Sequence, residues 1–161
     1  MVLVTNCSNN YGPFQFPEKL IPLTISKVLA GEPVPVYGKG ENIRDWLFVE
    51  DHCRGIVTVM EKGTMGESYC IGGDQELKNL ELVGKLIDEI DRARSIEVGQ
   101  SRELISFVTD RPGHDFRYAM DSSKAMKLGW RPSVGIEDGL RKTVAWYLNN
   151  ESWCERALKR M

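Results

Sequence analysis

Hydrophobic positions along this chain switch period repeatedly, and the switches mark out alternating extended and helical segments. Met1-Val2-Leu3-Val4-Thr5 is a short apolar run that predicts a buried β-strand, opening into the polar stretch Asn6-Cys7-Ser8-Asn9-Asn10-Tyr11-Gly12-Pro13. Strands of this kind in α/β enzymes run out into loops that carry ligand-binding residues. Pro17, Glu18 and Lys19 then introduce a helix whose Leu20, Ile21, Ile25, Val28 and Leu29 fall near the helical period, with Gly31 as a left-handed cap. Pro22 is tolerable only in its first turn. Val34-Pro35-Val36-Tyr37 predicts a short extended segment, Gly38-Lys39-Gly40 a turn, and Trp46-Leu47-Phe48-Val49 a strand.

Asp51 stands where a carboxylate caps a helix running through Met60, and Glu67 to Ile71 predicts a strand closed by Gly72-Gly73. Asn79 is placed as the N-cap of a helix whose Val83, Leu86, Ile87 and Ile90 form one buried face. Leu104 to Val108 predicts a strand that delivers Asp110-Arg111-Pro112-Gly113-His114 into a loop. Asp121 to Leu128 predicts a short helix ended by Gly129. Ile136 to Leu148 predicts the last helix, with Leu140, Val144 and Tyr147 inward and Glu137 and Asp138 at its positive end. With no repeat, low-complexity tract or linker, residues 1–161 read as one α/β unit of mixed strands and helices.

Composition narrows the function classes. The 21 basic residues against 23 acidic ones leave a formal charge of −2, which gives no general attraction to nucleic acid or to an anionic membrane. Any anionic ligand must therefore meet local cations. No apolar run reaches transmembrane length. Cys7, Cys53, Cys70 and Cys154 are scattered without a C-x-x-C pair, as expected of reduced thiols in a cytoplasmic protein. His52 and His114 lack metal-ligand spacing, so no metal is expected.

Several catalytic signatures do not occur in these residues. There is no G-x-G-x-x-G loop for a dinucleotide pyrophosphate, no G-x-S-x-G elbow, and no tyrosine followed four positions later by lysine. The chemistry that remains is polar and cationic. Asn9 and Asn10 follow a strand and can donate and accept toward hydroxyls or phosphate, or simply close the strand as a turn. Lys19, Arg44 and Arg111 are three cations in or beside loops, suited to a diphosphate or to solvent. Tyr37 can meet a base or pack at a sheet edge. Asp110 to His114 joins a rigid Pro112, a permissive Gly113 and polar side chains into a pre-shaped loop.

Taken in order, Asn6 to Leu20, Val36-Tyr37-Gly38-Lys39-Gly40, Ile43-Arg44-Asp45-Trp46, Tyr69 to Gly73, Lys78-Asn79-Leu80, Asp110 to Asp115, Leu128-Gly129-Trp130 and Leu140 to Val144 resemble one family. The chain is similar over nearly its whole length to the C-terminal half of the dTDP-glucose 4,6-dehydratases, which are extended short-chain dehydrogenase/reductases. The resemblance implies a substrate-binding portion without the main Rossmann nucleotide-binding half. It implies substrate contacts at Asn9, Lys19 and Leu20, a nucleoside site at Pro35, Val36 and Tyr37, and diphosphate and ribose contacts at Arg44, Asn79, Asp110, Arg111, Pro112, Gly113 and His114. Asn10 falls on the nicotinamide side of an NAD cofactor.

In the family, NAD takes hydride from sugar C4, water is lost across C5 and C6, and the hydride returns to C6. The Gly-rich loop, the acid/base pair and the Tyr-x-x-x-Lys of the family all fall before Met1, so no catalytic residue is assigned here and the chain alone is expected to be inactive without retained NAD. The family homodimer rests largely on helices of that other half, which leaves the oligomeric state of this chain open. Two further readings stand beside this one: a non-catalytic module that binds nucleotide sugars, and part of a UDP- or CDP-sugar dehydratase or epimerase.

Overall fold

The structure, a computed structural model, describes residues 2–159. Strand β1 (Val4–Cys7) pairs in parallel with β5 (Ser68–Ile71). The strand expected from Met1 to Thr5 thus begins later and runs further, and Met1 lies outside the described residues. Nor is it buried: Val4 remains 44% exposed, because among the described residues β1 pairs along one edge only.

Strand β4 (Ile43–Phe48) organises the rest. Its first half lies between antiparallel β6 (Glu76–Lys78) and parallel β8 (Arg117–Tyr118), and its second half pairs in parallel with β2 (Asn9–Tyr11). The strand begins three residues before the expected Trp46 and ends before Val49, which opens helix α2 (Val49–Lys62). Period-two alternation makes β4 the partition between two cores. Trp46 and Phe48 face a core built with helices α1 (Leu20–Ala30), α3 (Asn79–Ala93) and α5 (Ile136–Leu148). Leu47 faces a second core with Val59, Tyr69, Ile71, Ala125 and Trp130. Strand β3 (Val34–Tyr37) pairs in parallel with β7 (Ile105–Val108), preceded by a 3₁₀ turn over Gln100–Leu104. Helices α4 (Ser123–Lys127) and α6 (Glu151–Leu158) complete the chain.

Local chemistry explains most boundaries. Gly31 ends α1 at φ 67°, where its N–H reaches the Val28 carbonyl at 3.1 Å. Pro22 occupies the third position of α1, before an N–H is needed. Gly73 admits no side chain, since a Cβ there would stand 1.9 Å from the Trp46 carbonyl oxygen. That close approach lets buried Asp45 accept from the Gly73 and Gln75 amides at 2.8 and 2.9 Å. The short pieces β2, β6, β8 and α6 were not expected as elements, because two or three residues of strand, or one short helix after Asn150, carry too little period.

Asp51 does something other than cap. It lies inside the first turn of α2, buried, and accepts from the Ser133 and Val134 amides at 2.8 and 2.9 Å and from the Ser133 hydroxyl at 3.0 Å, with Arg54 also bound to it. Asp51 thereby ties α2 to the segment that leads into α5. Each amide stranded by its loss costs about 1–3 kcal/mol. Asp51→Ala should therefore lower the urea midpoint far more than Asp51→Asn, which keeps an acceptor. Equal midpoints for the two variants would remove this role.

Among the described residues, no helix is long and apolar enough to cross a membrane, and no group of three or more His, Cys, Asp and Glu is arranged to hold a metal ion. All four cysteines are free.

Candidate functional site

Five segments meet around one cleft of about 660 Å³: the β1–β2 strand ends, the turn into α1, the β3 and β4 strands, the start of α3, and the loop after β7. Alternation selects which side chains reach it. On β3, Pro35 and Tyr37 line the cleft, whereas Val36 is turned into the main core with Val34. Val36 was expected at the nucleoside; its side chain instead holds the strand in place. On β4, Arg44 and Trp46 share the cleft face, and the register with β2 sets Asn9 beside Trp46.

The three cations are not equivalent. Lys19 lines the cleft at the entrance of α1, but its ammonium pairs with Glu18 at 2.7 Å on the exposed rim. Arg44 is half-buried inside β4 rather than in a loop, and donates to the carbonyls of Ile43 at 2.7 Å and Asp115 at 2.8 Å. Carbonyls orient a guanidinium without neutralising it. Arg111 has its guanidinium 5.2 Å from the centre of the Tyr37 ring and reaches His114 Nε2 at 3.0 Å. Neither arginine has a carboxylate partner among the described residues, so both present charge to the cleft.

The Asp110–His114 loop works as a relay. His114, with its side chain only 8% exposed, places Nδ1 2.7 Å from Asp110 Oδ1 while Nε2 meets Arg111. A neutral imidazole protonated at Nδ1 donates to the carboxylate and accepts from the guanidinium. The hydrogen bond with His114, with the Arg111 amide adding to it, holds the Asp110 carboxyl below its usual range. Arg111 and His114 line the cleft; Asp110, Pro112 and Gly113 do not. Gly113, at φ 69°, and Pro112 bend the chain so that the His114 amide reaches the Arg111 carbonyl at 3.2 Å. Tyr37 stands edge-on to His114 and remains 43% exposed, so it forms a rim platform rather than sheet packing.

Asn79 is not an N-cap. It is the first residue of α3, preceded by Lys78, and its half-buried side chain lines the cleft with Oδ1 lacking a hydrogen-bond partner among the described residues. Asn10 donates from Nδ2 to the Ser8 carbonyl at 3.0 Å, which leaves its buried Oδ1 without a partner as well. An orphaned amide oxygen fits a carboxamide N–H₂ such as that of nicotinamide. Leu20, the first residue of α1, supplies apolar wall. Cys7 lines the cleft as well, and Ser8, Gln15, Phe16, Glu18, Leu23 and Trp46 line it without an expected role. For Trp46 the signal was available, two residues from Arg44 on one strand. Tyr11 is no substitute for a low-pKa phenol, since burial, reinforced by Asp51 and Asp138, pushes it well above its ordinary value.

Residues 1–143 match the GDP-mannose 4,6 dehydratase family. The chain is 56% identical over 159 residues to a dTDP-glucose 4,6-dehydratase of Xanthomonas campestris pv. campestris, covering 98% of this chain and 45% of that protein. The NAD-bound crystal structure of DesIV, a dTDP-glucose 4,6-dehydratase from Streptomyces venezuelae, superposes with a TM-score of 0.87 at 46% identity, over 96% of this chain and 46% of that one. A UDP-glucose 4-epimerase from Thermotoga maritima, solved with UDP-glucose, superposes with a TM-score of 0.79 at 31% identity, over 92% of this chain and 46% of that one. The chain thus spans about half the length of the relatives it matches. The mixed α/β fold expected from the sequence is the fold of these structures over that span.

Proposed function

The chain belongs to the GDP-mannose 4,6 dehydratase family, and from that premise we propose that it supplies the nucleotide-sugar grip of a dTDP-glucose 4,6-dehydratase. One observation carries the reading: a single cleft has unneutralised Arg44 and Arg111 with the Tyr37 platform at one side and Asn9 and Asn10 at the other. Two guanidinia without carboxylate partners on one cleft suit an anionic ligand there. In this reading Tyr37 and Pro35 flank the base, Arg44 and Arg111 hold the diphosphate, and His114 with Asp110 keeps Arg111 turned inward. Asn79 contributes an acceptor nearby. Lys19, Leu20 and Asn9 contact the substrate toward its sugar end, and Asn10 holds a nicotinamide carboxamide through Oδ1. Bound NAD supplies the hydride acceptor and donor for conversion of dTDP-glucose to dTDP-4-keto-6-deoxyglucose and water. Residues of this chain position the sugar for that exchange and serve no proton-transfer role. The protein acts in the cytoplasm, on a small nucleotide sugar.

The likeness to a UDP-glucose 4-epimerase favours a second reading, a UDP-sugar enzyme of the same architecture. Higher identity to dTDP-glucose dehydratases supports the first. Titration calorimetry separates them. One buried methyl is worth about 0.8 kcal/mol, so dTDP should bind about fourfold more tightly than dUDP, from which it differs only by the thymine methyl. Tyr37→Ala should weaken both. Equal or reversed preference would favour the UDP-sugar enzyme.

A further inference from the structure

Seven buried side-chain polar atoms lack a hydrogen-bond partner among the described residues, and five of them, on Ser8, Asn10, Gln15, Trp46 and Asn79, belong to residues lining the cleft. Such atoms cost stability wherever a fold leaves them, so their concentration at one place marks partners that arrive from outside the chain. Four of the five are carbonyl or hydroxyl oxygens. The fifth is different: Trp46 Nε1 carries a hydrogen and can only donate.

The fold shows how it treats an indole it means to satisfy internally. Trp130 is equally buried, and its Nε1 donates to the Asp51 carbonyl at 2.9 Å. Trp46, 3% exposed, is fixed by β4 and by edge-on packing against Tyr11, yet its N–H has no acceptor among the described residues. It sits two residues beyond Arg44 on the same face of β4, about 7 Å along the strand, and opposite Asn9 in the β2 register. That is the junction between the cation that would meet a diphosphate and the asparagine that would meet a sugar.

We propose that Trp46 Nε1–H is a substrate-binding donor, aimed at an oxygen of the ligand's diphosphate on its sugar side. The proposal rests on the reading of the cleft as a nucleotide-sugar site and adds a contact to it. A rigid, uncharged donor complements Arg44: the guanidinium attracts the anion, and the indole fixes where along β4 the phosphorus–oxygen chain comes to rest. Because the indole is locked by packing, little rotamer entropy is lost when it binds.

Nitrogen-15 proton NMR of the full chain tests this through its indole resonances, Trp46 being identified by the signal missing in Trp46→Phe. Saturating dTDP, and dTDP-glucose likewise, should shift the Trp46 indole resonance and slow its exchange with water, while thymidine leaves it in place. Calorimetry should show Trp46→Phe binding dTDP about tenfold more weakly, as for one hydrogen bond to a charged acceptor, with thymidine affinity unchanged. A Trp46 resonance unmoved while dTDP binds would overturn the proposal alone, assigning the N–H to an internal water. Absence of any nucleotide binding by the wild-type chain would overturn the cleft reading together with it. Should Trp46→Phe fail to fold, assignment of the wild-type indoles through their backbone neighbours decides the matter.

Discussion

Arg44→Ala and Arg111→Ala should each weaken dTDP binding by about tenfold to a hundredfold, since a hydrogen bond to a charged group is worth roughly 1.5–3 kcal/mol. The two differ in what accompanies the loss. Arg44 is held by the Ile43 and Asp115 carbonyls within a paired strand, so its removal subtracts charge and leaves the cleft shape in place. Arg111 belongs to a relay with His114 and Asp110 and lies over Tyr37, so its removal also frees the rim. His114→Ala should consequently reproduce part of the Arg111→Ala loss, whereas no change near Arg44 should. The double arginine variant should bind dTDP no better than the background of an acidic protein. Calorimetry at fixed ionic strength measures all four, because screening alters exposed charge interactions. Unchanged affinity in both single variants would return the arginines to the role of solvated surface charge.

How much of this was legible beforehand follows from period and from locality. Helix α5 lies where its spacing placed it, from Ile136 to Leu148, because Leu140, Val144 and Tyr147 fall on one face and Glu137 and Asp138 suit its positive end. Strand β3 likewise matches Val34 to Tyr37, with Gly38 at φ 56° making the turn. The failures were tertiary. Asp51 and Asn79 both have the composition of caps, yet Asp51 is taken by the distant Ser133 and Val134, and Asn79 begins α3 one place past the cap, with its side chain in the cleft wall. Val36 sits inside a motif whose alternate residues line the cleft, and strand alternation sends it the other way. The pairing of β4 with three different strands is invisible in sequence, since β6 and β8 are three and two residues long. It is that pairing which puts Trp46 beside Asn9.

The largest effect is expected from turnover itself: the purified 161-residue chain should bind dTDP-glucose and convert none of it. Oxidation at a sugar C4 hydroxyl needs a base to take the proton as hydride leaves, and the Tyr-x-x-x-Lys pair that lowers a phenol for this work does not occur among these residues. The two buried tyrosines that touch the cleft residues Trp46 and Gln15 offer no replacement. Tyr11 and Tyr147 are both pushed far above the ordinary phenol value, chiefly by burial, and Tyr147 spends its proton on the Gln15 carbonyl at 2.5 Å. Positioned acid–base help typically contributes about a hundredfold to ten-thousandfold in rate. Without such help, and without a Gly-rich pyrophosphate turn at a helix N-terminus, 4-keto product should fall beneath detection. Mixing the chain with the part of the Xanthomonas relative that it does not match should restore some product. Among the described residues β1 pairs along one edge only, which leaves an edge that a further strand could extend. Product from the mixture and none from either part alone would identify a divided enzyme. Tight dTDP-glucose binding with no product from any mixture would instead support a non-catalytic binding module, and robust turnover by this chain alone would falsify the division of labour.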